Sequence, residues 1–132
     1  MYIGFAKDNK EVSKAINLAT KIFRSKENFD EALRSKRIIM FQKVKPDLQN
    51  VIVIKNFDED LIGTCFLIDR LFYRGKFKLK GTFISSVCID ERYRKLGYSK
   101  LLIEYAIKDI LRKQVERMIK ENEDNICPPV SD

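Results

Sequence analysis

Three β-forming runs follow one another between Val51 and Ile89 with only short reversals between them, and this succession limits the chain to folds built on an antiparallel meander. "VIVIK" and "LIGTCFLIDRLFY" are rich in β-branched and aromatic residues and flank the acidic turn Asn56 to Asp60, the pattern of a hairpin. Gly75 marks the next reversal. Beyond it, "FKLKGTFISSVCI" alternates Phe77 and Leu79 with Lys78 and Lys80, then turns apolar around Phe83 to Ile89 as a strand entering a core does. The alternation predicts Phe77 and Leu79 inward, with Lys76, Lys78 and Lys80 solvated.

The segments on either side are helical in pattern. Tyr2 to Ala6 reads as a first strand, after which Asp8 and Glu11 form a capping box ahead of Val12, Ile16, Ala19 and Phe23 at helical spacing. A second cap-like pair, Asn28 and Glu31, predicts a shorter helix through "FDEALRSKR", and Pro46 breaks what precedes it. From Gly97, the residues Leu101, Leu102, Tyr105, Ala106, Ile110, Val115 and Met118 predict an apolar helical stripe over about twenty residues, ending in "KENEDN" and Pro128-Pro129. The predicted order is β-α-α-β-β-β-α, an α+β or α/β chain with a mixed, mostly antiparallel sheet. No repeat or Gly/Ser linker divides residues 1 to 132, so one domain is expected.

Composition narrows the chemistry. The chain has no histidine and no tryptophan, which removes histidine-based triads, His-ligated metals and the usual neutral-pH base. Cys65, Cys88 and Cys127 are odd in number and widely spaced; no zinc pattern or disulfide framework can be assembled from them, and a cytosolic protein is expected. No stretch approaches the roughly 18 apolar residues of a membrane span. The net charge of +7 favours an anionic partner, whether nucleic acid, an acidic membrane or a phosphorylated cofactor.

The anion-binding candidate is "RYRKLGYSKLL", Arg92 to Leu102, where a core strand runs through a short acidic connector into a basic turn and then a helix. The first amides of such a helix lack intrahelical partners and carry the positive end of its dipole, so they bind phosphate well. Gly97 allows close backbone approach or positive φ, and Arg94, Lys95 and Lys100 add a diffuse positive field.

"FISSVCIDERYRKLGYSKLLIEYAI" resembles the cofactor-binding segment of the GNAT N-acyltransferase superfamily, whose Arg/Gln-x-x-Gly-x-Gly/Ala signature appears as Arg94-Lys95-Leu96-Gly97-Tyr98-Ser99. Ser99 stands where the family has Gly or Ala. The resemblance covers Met1 to about Ile110, and 111 to 132 reads as a helical extension and polar tail. It implies that backbone groups of Val87, Cys88 and Ile89 pair with the pantetheine arm of acetyl-CoA or another acyl-CoA. Arg94, Lys95, Leu96, Gly97, Tyr98 and Ser99 would surround the pyrophosphate. A main-chain N–H of the same strand would polarise the acyl carbonyl while a primary amine attacks directly, which a histidine-free chain can do.

The family's next strand and final helix, with its tyrosine acid, find no counterpart between Ile110 and Asp132. No catalytic side chain and no metal ligand is therefore assigned. Cys88 reads as a buried hydrophobe, Ser85 and Ser86 as strand serines, and Asp90 and Glu91 as carboxylates stabilising the helix start. Two other readings remain at this level. One is an incomplete member acting as a CoA-binding or interaction module, with its last helix or exposed strand edge covered by a second copy in a homodimer. The other is a nucleic-acid-binding domain using "YRGKFKLK", which the inward placement of Phe77 and Leu79 disfavours.

Overall fold

In the computed structural model, which describes residues 1–23, 48 and 50–125, four strands form one sheet in the order β1-β2-β3-β4. They are β1 (Tyr2–Phe5), β2 (Val51–Lys55), β3 (Leu61–Arg74) and β4 (Phe77–Ile89), and every neighbouring pair is antiparallel. Helix α1 (Asn9–Phe23) follows β1, and helix α2 (Tyr98–Asn125) follows β4 after a short 3-10 turn, Glu91–Tyr93. The helix expected from Asn28, the break at Pro46 and Cys127 lie outside the described residues.

The sheet is covered on both faces. α1 lays Val12, Ala15 and Ala19 on Val51, Val53, Phe66 and Cys88, while α2 lays Leu102 and Ala106 on Ile52, Ile54, Cys65 and Leu67. β2 therefore buries every residue, which is why "VIVIK" is continuously apolar rather than alternating. The capping box forms: Asp8 Oδ1 accepts from the Glu11 amide at 2.8 Å, and Glu11 Oε2 accepts from the Lys7 amide at 2.8 Å.

Lys55 closes β2 with a charge that is only 3% exposed. Its ammonium donates to Glu11 Oε1 and, at 2.7 Å, to Glu59 Oε2, and sits 4.9 Å from the Tyr2 ring. Burial pulls the lysine's pKa down, but the hydrogen bonds to Glu11 and Glu59 outweigh it and leave it above its ordinary value. The same hydrogen bond holds Glu59 below the usual carboxylate range. Its contribution to stability is therefore present above the ordinary glutamate pKa and is lost as pH falls through the depressed folded value.

One expectation fails along β4. Pairing of β2 with β3 ends at Phe66, so among the described residues β3 and β4 continue as a two-stranded arm out to Gly75. Phe77 and Leu79, expected inward, are 76% and 66% exposed, because alternation creates two faces without supplying anything to cover either. Val115 and Met118, which continue the apolar periodicity of α2, are exposed as well. A helix of 28 residues is about 42 Å long, and its second half runs beside the two-stranded arm, where Gln114, Arg117, Met118 and Glu121 line an open cleft with Leu71, Lys78, Leu79 and Lys80 instead of closing a core. Among the described residues, no helix is long and apolar enough to cross a membrane.

The Lys55 cluster gives a direct test. Glu11→Gln leaves a buried ammonium with one exposed partner, and is expected to lower the unfolding free energy by about 3 kcal/mol in urea. Lys55→Met, which removes the buried charge itself, is expected to cost less; the reverse ranking would show that the cluster does not act as a buried ion pair.

Candidate functional site

The site begins in β4. Thr64 lies opposite Cys88 and Phe66 opposite Ser85, so Cys65 faces two residues, Ser86 and Val87. Ser86 has a φ of 52°, and this bulge bends the strand just before its last stretch. The Ser85 and Ser86 hydroxyls lie 3.3 Å apart at the bulge.

The backbone directions after the bulge follow from one hydrogen bond. The Asp90 amide donates to Ile62 O at 2.7 Å. Alternation along an antiparallel ladder then turns the Cys88 backbone toward Thr64 on β3, and the Val87 and Ile89 backbone groups toward the outer edge. That edge carries no strand among the described residues. Cys88 is thus the member of the Val87 to Ile89 trio whose main chain is committed to the β3 ladder.

The connector is braced from behind. Asp90 caps the 3-10 turn, accepting from the Arg92 amide at 3.0 Å and from the Arg92 Nε and Nη2 at 3.2 Å each. The hydrogen bond from the Arg92 side chain holds the Asp90 carboxyl below the usual range, against a smaller opposing effect of burial, so this group is a structural brace and a weak base. Asn56 completes the support. Its side-chain oxygen accepts from the Asp58 and Asp60 amides, both at 2.9 Å, while its amide nitrogen donates to Tyr93 Oη at 3.1 Å. Tyr93 in turn meets Tyr98 edge-to-face at 6.3 Å between ring centroids. The β2–β3 turn therefore fixes the loop that enters α2.

That loop presents amides. Lys95 and Gly97 both have positive φ, 66° and 85°, reversing the chain twice around the exposed Leu96. A side chain at Gly97 would meet no atom within 4 Å, so the glycine is demanded by backbone conformation and faces open space. Leu101 is the first α2 amide to find a helical acceptor, Gly97 O at 3.3 Å, which leaves Tyr98, Ser99 and Lys100 amides without one. Arg94 Nε donates to Ile89 O at 3.4 Å, linking the loop to the open strand edge.

The sequence reading placed Val87, Cys88, Ile89 and Arg94 to Ser99 together, and they are contiguous in space through this turn. It missed Asn56 and Tyr93, although Asn56 followed by Asp58 and Asp60 is an Asx-turn signal. Cys88 is buried, and burial pushes its thiol up to about 12; Cys65 behaves likewise. No group of metal-ligating side chains occurs among the described residues.

No curated protein matches the chain. Among solved structures it is similar to a tetramutant of the BH1408 protein from Bacillus halodurans, at 16% identity and a TM-score of 0.53, covering 86% of this chain and 78% of that one. A second structure, another mutant of the same protein, is 16% identical with a TM-score of 0.49, covering 82% and 73%. The first likeness concerns the fold alone. The sequence model of the Acetyltransferase (GNAT) family matches residues 13–126, and the chain belongs to that family.

Proposed function

We propose that this chain is an acyl-CoA-dependent N-acyltransferase, a single domain spanning 1 to 132, that transfers acetyl from acetyl-CoA to a primary amine by direct attack. Membership of the GNAT family supports acyl transfer in general. The observation that carries the finer reading is the outer edge of β4, open among the described residues, leading through the 3-10 turn into the amide-rich start of α2.

In this reading the amides of Leu96, Gly97, Tyr98 and Ser99 hold the pyrophosphate, where the helix dipole favours negative charge. Arg94 and Lys95, both exposed, add attraction without a fixed geometry. Val87 and Ile89 offer outward backbone groups to the pantetheine amides, while Cys88 contributes packing and not its main chain. Ile89 O gives up Arg94 when the arm binds. The donor supplies a thioester, whose carbonyl carbon forms the new C–N bond as its C–S bond breaks and CoA leaves as a thiolate that takes a proton from solvent. An N–H of the outer edge stabilises the developing oxyanion, and the ammonium proton passes to solvent, since no side chain is assigned as base.

Cys88 stays outside the chemistry because a thiol pushed up to about 12 is protonated at neutral pH. A CoA-binding module without turnover rests on the same open edge, and thiol release over a panel of amines separates it from an enzyme.

Three measurements test the reading. Acetyl-CoA at about 100 times its Kd should stabilise the protein by about 2.7 kcal/mol and raise its Tm, and no shift with either acetyl-CoA or CoA removes the cofactor assignment. Gly97→Val should cost about 1 to 2 kcal/mol through its positive φ and weaken CoA binding at least tenfold, whereas unchanged affinity would move the anion site elsewhere. Incubation with acetyl-CoA in the absence of amine should leave the intact mass unchanged; an acetyl group on Cys88 would contradict direct attack.

A further inference from the structure

The two-stranded arm that β3 and β4 form beyond the sheet has a composition and a facial arrangement suited to a second ligand, distinct from the α2 site. Between Asp69 and Lys80 it carries five basic residues against one acid. The acid is engaged, accepting from Thr82 Oγ1 at 2.7 Å. The register pairs Phe72 with Leu79, Arg74 with Phe77, Arg70 with Gly81 and Ile68 with Phe83, and paired residues share a face. One face of the arm therefore presents Phe72, Phe77, Leu79 and Phe83 together with Arg70 and Arg74.

These side chains are available. Phe72 is 43% and Phe83 48% exposed, with their rings 5.3 Å apart and edge-to-face. A Cβ at Gly81 would come within 2.8 Å of the Phe72 ring, so glycine at this position lets the ring lie down on the neighbouring strand. Neither Arg70 nor Arg74 takes part in an ion pair among the described residues. On the opposite face Lys78 stands 5.9 Å from the Tyr73 ring, repeating the pairing of cation and aromatic.

We infer that this arm is a binding surface for single-stranded nucleic acid, with bases stacking on the phenylalanine face and phosphates meeting Arg70 and Arg74 on that same face. Flat aromatic side chains on a sheet face accept any base, and flanking cations follow the backbone. The charge excludes a second copy of the same arm as occupant, since two such surfaces repel. The apex argues against membrane insertion. Its residues are Arg74, Gly75 and Lys76, with the apolar side chains set back on the face rather than at the tip.

The test is fluorescence anisotropy of labelled oligo(dT) and oligo(U) of about 15 nucleotides with the full chain, at about 50 mM and 200 mM salt. Binding should weaken steeply with salt, exceed that of a duplex of equal length and persist in excess CoA. Phe77→Ala should weaken it about tenfold, and Arg74→Gln should reduce the salt slope by about one. Phe72→Ala should act like Phe77→Ala; should it perturb folding by circular dichroism, the largely exposed Phe77 still decides. No binding at low salt overturns the inference. So does equal affinity for duplex with no effect of Phe77→Ala, which would mean charge alone, and so does Phe77-dependent binding to phosphatidylserine vesicles without binding to either oligonucleotide.

Discussion

Among the described residues β4 makes its ladder hydrogen bonds on one side only, and the candidate site depends on that asymmetry. Its inner edge is fixed to β3 from Phe77 to Ile89, so the outer groups of Val87 and Ile89 are held in extended geometry outside any ladder among the described residues. An unpaired strand edge ordinarily invites any other strand. Here the bulge at Ser86 bends the edge and Arg94 closes over Ile89 O, so the exposed stretch is short and leads straight into the start of α2.

The rigidity of that junction comes from residues that touch no ligand in the proposed reading. Asn56 gathers the β2–β3 turn around its carboxamide and passes a hydrogen bond to Tyr93; Asp90 and Arg92 lock the 3-10 turn. Amides that must receive an anion are thus positioned beforehand, which lowers the ordering cost that binding would otherwise carry. The Lys55 cluster stabilises the same end of β2 from the α1 face, so a buried charge and a neutral network converge on one turn.

Much of this was legible in the sequence where a residue type has one strong physical preference. The Asp8 and Glu11 box, the acidic turn at Asn56 to Asp60, the reversal at Gly75 and the positive φ at Gly97 all belong to that class. The Ser86 bulge was not, because two adjacent serines carry no signal for an extra residue in one strand. Lys55 at the end of "VIVIK" looked like a strand terminus, and its burial depends on Glu11, 44 positions away in the chain. Phe77 and Leu79 were misplaced for a single reason: periodicity reports which residues share a face, and only what packs against that face decides whether it is covered. Their exposure also reverses the weight against nucleic acid, since the bland reading of the basic hairpin required Phe77 and Leu79 to be inside.

The most direct measurement is a titration of isotope-labelled protein with CoA, followed amide by amide. If the start of α2 and the outer edge of β4 form the anion and pantetheine site, the largest shifts fall on Gly97, Tyr98, Ser99 and Ile89, with Cys88 moving less because its amide already faces Thr64. Shifts that spare these amides, or that centre on the arm between Arg70 and Lys80, would contradict it.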